Sequence, residues 1–163
     1  MHLDVQDKAW RSKACGPTAL KSILDYLGTN APTIDELIRL RAQFHAYDPR
    51  IGWIHDGLAE MARSFGLGAA VLPWRKLDPE AIVNNLRFAI RRGPCLALIH
   101  PAEQSIITQP NFVVIKAIST TRIFFNDPAA QCKHRVYQRA KIPLFLERWA
   151  DRKVVSVKKL SAV

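Results

Sequence analysis

The chain has 163 residues, of which 48% are hydrophobic. This length predicts one domain over residues 1–163 with a buried core, and no stretch approaches the roughly 18–20 apolar residues of a membrane span. The 24 lysine and arginine residues against 14 acidic ones give a net charge of +10, which favours acidic partners. The basic residues are dispersed and are not interleaved with aromatic ones, so nucleic-acid binding is not expected.

Three cysteines without framework spacing argue against a disulfide scaffold and are typical of a reducing compartment. Cys95 and Cys132 are interpreted as structural. The N-terminus shows no basic and apolar leader, so the predicted location is the cytoplasm. No cofactor is expected, because the histidines lack metal-ligand spacing and no glycine-rich phosphate loop is present.

A cysteine stands at the predicted start of the first helix. The segment Leu20–Leu27 carries leucine and isoleucine at helical spacing, Pro17 suits the first turn, and Gly28 suits the stop. Unpaired N–H groups at a helix N-terminus stabilise a thiolate and lower the pKa of its thiol. Cys15 is therefore a candidate nucleophile, and a small buried thiol is the alternative.

The remaining pattern predicts helices mostly in the first half of the chain and strands mostly in the second. Helices are predicted from the Thr33–Glu36 capping box to about Phe44, around Leu58–Phe65 with a stop at Gly66, from Asp78–Pro79 to Gly93, and over Lys141–Trp149. Strands are predicted at Ala69–Leu72, Cys95–Ile99, Phe112–Ile118, Ile123–Phe125 and Lys153–Val157. This order is typical of an α+β fold with N-terminal helices packed on a C-terminal antiparallel sheet.

Five sequence blocks resemble a known enzyme family. They are Gln6–Trp10, Ala14–Leu20, Gly52–Leu58, Asn111–Ile115 and Asn126–Pro128. In this order they resemble the C39-like, or double-glycine-type, cysteine peptidases, which have a papain-like fold, and the resemblance covers nearly the whole chain. It implies a cleft that takes a peptide or protein segment.

The resemblance also implies roles for single residues. Cys15 corresponds to the nucleophile, Gln6 to the oxyanion donor and Asp127 to the residue that orients the catalytic histidine. Gln6 is otherwise an exposed polar side chain, and Asp127 followed by proline is otherwise a turn starter. The family's histidine position, directly before Phe112, is occupied by Asn111. An amide has no useful basicity near neutral pH, and loss of a general base typically costs about 10²–10⁴-fold in rate.

Two hypotheses follow from the asparagine. In the first, the protein is a pseudopeptidase whose cleft binds a peptide or partner without cutting it. In the second, it is an active thiol hydrolase or acyl transferase with a relocated base. His100 is the candidate base, because it ends one predicted strand and Asn111 begins the next; a loop-edge histidine without a role is the alternative. His55, near a helix start, is predicted to cap or pack that helix, with a place in the cleft as the alternative.

Overall fold

Helices pack on both faces of a six-stranded antiparallel sheet. A computed structural model describes residues 4–101, 109–130 and 135–160 of the chain. The helices of this part are Cys15–Tyr26 (α1), Ile34–Leu40 (α2), His55–Ser64 (α3), Pro79–Arg92 (α4) and Ile142–Arg148 (α5). None of these described helices is both long and apolar enough to cross a membrane.

The strands form one large sheet and one small hairpin. They are Tyr47–Asp48 (β1), Gly52–Trp53 (β2), Leu67–Pro73 (β3), Cys95–Ile99 (β4), Asn111–Ile118 (β5), Arg122–Asn126 (β6), Tyr137–Lys141 (β7) and Trp149–Lys159 (β8). β1 and β2 pair as the hairpin, and the sheet has the order β3-β8-β4-β5-β6-β7 with every neighbouring pair antiparallel. The last strand of the chain therefore lies inside the sheet, between β3 and β4.

Alternating side chains divide the core between the two faces of the sheet. Leu96, Phe112 and Val114 belong to the core cluster that includes α1, α2 and α3. Their neighbours Ala97 and Val113 belong to the cluster that includes α4 and α5. A side chain on this sheet therefore faces either the layer of α1, α2 and α3 or the layer of α4 and α5, depending on its position along the strand.

Local signals in the sequence predicted several helix ends correctly. Thr33 and Glu36 make both hydrogen bonds of the capping box at the start of α2. The Asp78 side chain accepts a hydrogen bond from the N–H of Ala81, 2.9 Å away, at the start of α4. Gly66 follows α3 with a φ of +78°, a conformation that favours glycine.

Three features differ from the sequence-based expectation. Helix α2 ends at Leu40, four residues before Phe44, and the chain continues as a turn. Residues 47–52, for which no strand is predicted, contain β1 and the start of β2. Strand β7 was not predicted, because in Tyr137–Lys141 only Ala140 is buried and the segment shows no apolar alternation.

Trp53 fixes the start of α1. Its ring is buried, and its indole Nε1 donates a 2.5 Å hydrogen bond to the carbonyl oxygen of Lys13. A Cβ added to Gly16 would lie 2.5 Å from Cγ of Trp53. Only glycine at position 16 therefore allows the hairpin to contact the first turn of the helix this closely.

We expect Gly16→Ala to lower the free energy of unfolding by about 1–3 kcal/mol, because the added methyl overpacks a contact that the tryptophan cannot leave without losing its hydrogen bond. Urea denaturation followed by circular dichroism measures the change. Tyr26→Ala, at a 77% exposed position of the same helix, serves as the control and should change stability by less than about 0.5 kcal/mol. Equal stability of Gly16→Ala and wild type would contradict the close contact.

Candidate functional site

The Cys15 sulfur lies at the N-terminus of α1. Cys15 is the first residue of the helix and is half-buried. Ala14 provides no side-chain cap, Pro17 has no N–H, and the N–H of Thr18 is bonded to the carbonyl oxygen of Ala14. The backbone N–H groups of Cys15 and Gly16 therefore remain near the sulfur, where both lower the pKa of the thiol.

Neighbouring groups act on the Cys15 thiol in opposite directions. Burial has the largest effect and raises its pKa above the ordinary value of 9.0. The backbone N–H of Phe112 opposes this as the strongest favourable contact, followed by that of Gly16, whereas the negative charge of Asp127 raises the pKa. The expected net lowering of the pKa is therefore wrong: the helix N-terminus acts as predicted, but burial outweighs it.

Asp127 follows strand β6 directly and is half-buried. Its Oδ1 accepts a 2.9 Å hydrogen bond from the N–H of Ala129, so the residue does start a turn. Its negative charge also acts to raise the pKa of the Cys15 thiol and the pKa of the Arg148 guanidinium. Both interpretations of Asp127 are therefore compatible with its position.

Asn111 is the first residue of β5 and lies opposite Ile99 of β4. The next residue, Phe112, is the one whose N–H lies near the Cys15 sulfur, so the chain around position 111 passes beside the thiol. Within the described ranges, no hydrogen bond joins the Asn111 amide to Cys15. The structure therefore places the strand start near the sulfur without a hydrogen bond from the asparagine side chain to Cys15 among the described residues.

His100 follows the end of β4 with an exposed side chain. Its backbone is held on both sides by Arg148, whose carbonyl oxygen accepts the His100 N–H at 2.7 Å and whose Nε donates to the His100 oxygen at 2.9 Å. Burial lowers the pKa of Arg148, and the Asp127 charge raises it. Arg148 is thus hydrogen-bonded to the main chain of His100 and interacts electrostatically with Asp127.

Gln6 is exposed and is attached to a different element. Its backbone N–H donates to Oδ2 of Asp35, 3.1 Å away, in the first turn of α2. Its side chain makes no hydrogen bond within the described part of the chain and is not among the groups that shift the Cys15 pKa. The role of Gln6 as oxyanion donor therefore stays a prediction.

Three aromatic rings pack together beside the first turn of α1. Trp10, Tyr47 and Trp53 meet edge to face, with ring centroids 4.9 to 6.2 Å apart. The Arg41 guanidinium lies 4.5 Å from the centroid of the Trp10 ring. Because Trp53 contacts Gly16, this aromatic cluster lies next to Cys15, and its half-buried members Trp10 and Tyr47 retain accessible surface.

Comparison with known proteins identifies the architecture. No family model and no curated protein sequence matches the chain. The peptidase domain of Streptococcus ComA, a bifunctional ABC transporter, superposes with a TM-score of 0.65 at 17% identity, covering 91% of this chain and 93% of that one. A putative C39-like peptidase from Bacillus anthracis gives 0.63 at 14% identity, with 92% and 90% covered.

A third structure is a double-glycine motif protease from an AMS/PCAT transporter, solved in complex with the leader peptide. It superposes with a TM-score of 0.58 at 21% identity, covering 90% of this chain and 84% of that one. The chain has the fold of a C39 peptidase domain. The predicted α+β architecture and the resemblance to C39 folds are thereby confirmed.

Within this C39 fold, sequence reasoning missed the groups that most affect the cysteine. The Phe112 N–H is a backbone group, and only the block that contains it pointed to its position. Arg148, which binds the His100 backbone but does not itself shift the Cys15 pKa, also had no signal, because it is an ordinary charged residue in a chain rich in them. No group of three or more histidine, cysteine or acidic residues that could hold a metal ion is found among the described residues. Cys95 is buried, and burial raises the pKa of its thiol to about 12; Cys132 lies outside the described residues.

We expect alkylation of Cys15 by iodoacetamide to have a pH midpoint above 9.0, because burial disfavours the thiolate. Peptide mass spectrometry after digestion separates Cys15 from the other two cysteines. Asp127→Asn should lower the midpoint, because it removes a nearby negative charge and keeps the oxygen that accepts from Ala129.

Asp25→Asn is the matched control, because that carboxylate lies near the other end of α1 and pairs with Lys21. It should leave the midpoint in place. A wild-type midpoint below 9.0, or no change in Asp127→Asn, would show that the assigned balance of burial and charge is incorrect.

Proposed function

We propose that this protein is a pseudopeptidase with a C39-like fold, whose cleft at Cys15 binds a peptide or protein segment without hydrolysing it. The proposal rests mainly on the asparagine at the strand start beside the Cys15 thiol, and the burial that raises the pKa of this thiol supports it. A thiol protease needs a thiolate and a proton donor for the leaving amine. Here burial favours the neutral thiol. The Asn111 amide is not basic enough to take the thiol proton and not acidic enough to protonate the leaving amine.

The surroundings of the cysteine support the binding part of the proposal. The aromatic cluster of Trp10, Tyr47 and Trp53 forms an apolar surface next to the helix start. Arg41 on the Trp10 ring adds positive charge to that surface. A neighbour in fold was solved with a leader peptide bound, which is consistent with a peptide as the ligand of this cleft. The net charge of +10 makes an acidic segment the favoured partner.

The alternative is an active thiol hydrolase or acyl transferase in which His100 is the base. One observation favours it: Arg148 binds both backbone groups of His100 and lies within the field of Asp127. The histidine is therefore anchored near the residue that the resemblance assigns as orienter. A cytoplasmic location remains a prediction under either function.

We expect wild-type protein to leave a dye-quenched casein substrate intact and Asn111→His to hydrolyse it. The added imidazole restores a general base and, when protonated, a cation that favours the thiolate. Fluorescence increase over time is the measurement. The double variant Cys15→Ser with Asn111→His should be inactive, which excludes a contaminating protease.

The alternative makes the opposite prediction for the wild type. If wild-type protein cleaves casein, and both Cys15→Ser and His100→Ala abolish the cleavage, the relocated-base mechanism is correct and the pseudopeptidase proposal is wrong. Silence of Asn111→His with an intact circular dichroism spectrum would mean that more than the base has been lost.

A further inference from the structure

His55 is a buried histidine in the first turn of α3, only 6% exposed. Its Nδ1 lies 3.6 Å from Oδ2 of Asp151 on β8. Its Nε2 is buried and has no hydrogen-bond partner within the described residues. A buried polar atom without a hydrogen-bond partner is destabilising, so an apolar side chain would pack here at lower cost. This cost indicates a role beyond the capping or packing predicted for the residue.

The imidazole contacts the residue whose backbone stabilises the Cys15 sulfur. The rings of His55 and Phe112 pack edge to face, with centroids 4.8 Å apart and planes at 62°. The Phe112 ring is 1% exposed and belongs to the α1 side of the sheet. Its N–H makes the strongest favourable contribution to the Cys15 thiolate. A single residue thus contacts the imidazole through its ring and the sulfur through its backbone.

The sheet register places the partner of His55 at the same end as the site. Ile99 pairs with Asn111 on one side and with Trp149 on the other, and Asp151 follows Trp149 by two residues in β8. The carboxylate that faces His55 therefore comes from the strand end that borders the Cys15 region. Neither His55 nor Asp151 is among the residues to which the C39 resemblance assigns a role.

We propose that His55, which lies beside Asp151, is a positioning residue for Cys15 that acts through Phe112. Its ring fixes the Phe112 side chain, and with it the N–H that faces the sulfur. When protonated, it also places a positive charge on the far side of Phe112 and favours the Cys15 thiolate.

The charges around His55 determine when this happens. Burial lowers the pKa of His55 below its ordinary value of 6.5; Lys153 acts in the same direction, whereas Asp151 and Asp56 raise the pKa. The imidazole is therefore neutral at pH 7 and protonates only under more acidic conditions. The unfolded chain binds that proton at higher pH than the folded one. The contribution of His55 to the free energy of unfolding is therefore largest above pH 6.5 and falls as the pH drops below it.

The test is the pH dependence of Cys15 alkylation by N-ethylmaleimide, followed by peptide mass spectrometry from pH 4.5 to 10. If only the thiol titrates, the logarithm of the rate falls with unit slope below its midpoint. We expect the wild-type rate at pH 5 to exceed the extrapolated unit-slope line by about three-fold or more, because a protonated His55 stabilises the thiolate; three-fold corresponds to about half a pKa unit.

Two variants separate the effect of the position of the His55 ring on Cys15 from the effect of its charge. His55→Gln should remove the excess rate at pH 5 and move the Cys15 midpoint to higher pH. Asp151→Asn keeps the imidazole but removes the carboxylate that raises its pKa, so the excess should begin at lower pH. His45→Asn changes an exposed histidine at a φ of 47° and should reproduce the wild-type profile.

A wild-type profile of unit slope, or a His55→Gln profile identical to wild type in a folded protein, overturns the proposal. If His55→Gln does not fold, Asp151→Asn decides: an excess rate that begins at the same pH as in wild type overturns it as well. Because the readout is alkylation, the result does not depend on whether the protein hydrolyses peptides.

Discussion

The contact between the first turn of α1 and the start of β5 determines what this molecule can do. It brings a thiol at a helix N-terminus to a backbone N–H on a sheet strand, at the end of the sheet where Asp127 also lies. Two packing constraints hold the helix in this place: Trp53 leaves no room for a side chain at position 16, and its indole binds the carbonyl oxygen of Lys13. The hairpin of β1 and β2 is thus as necessary to the site as the helix itself.

A helix N-terminus alone does not activate a cysteine. The amides of Cys15 and Gly16 and the N–H of Phe112 all favour the thiolate, yet burial and the Asp127 carboxylate together leave the pKa raised. Backbone N–H groups carry partial charges, whereas desolvation acts on a full charge. In a papain-like site the imidazolium closes this gap, and an asparagine at position 111 does not. A cysteine at a helix N-terminus is therefore poor evidence for catalysis.

The sequence predicted those parts of the fold that depend on local chemistry. The Thr33 capping box, the Asp78–Pro79 helix start and the apolar meander from Cys95 to Phe125 each combine several short-range signals. β7 was missed because a strand at the sheet edge needs little apolar surface, and its polar residues carry no alternation. The path of β8 between β3 and β4 is a long-range pairing that no local pattern encodes.

The candidate site also has parts that the sequence predicted and parts that it did not. The family blocks predicted that Cys15, Asn111 and Asp127 lie near one another, and the structure shows the N–H of Phe112 and the charge of Asp127 acting on the thiol. The effect of Asp127 on Arg148 and the contact of His55 with Asp151 depend on α5 and β8, which join this region only through the sheet topology. The sign of the Cys15 pKa shift depends on burial, which results from the packing of many residues and is not visible in a local sequence pattern. Two histidines belong to this network through different contacts: the backbone of His100 is hydrogen-bonded to Arg148, and the ring of His55 packs on the ring of Phe112. Only the second of these is buried, and burial is what makes an ionisation strong enough to be felt at a neighbouring sulfur.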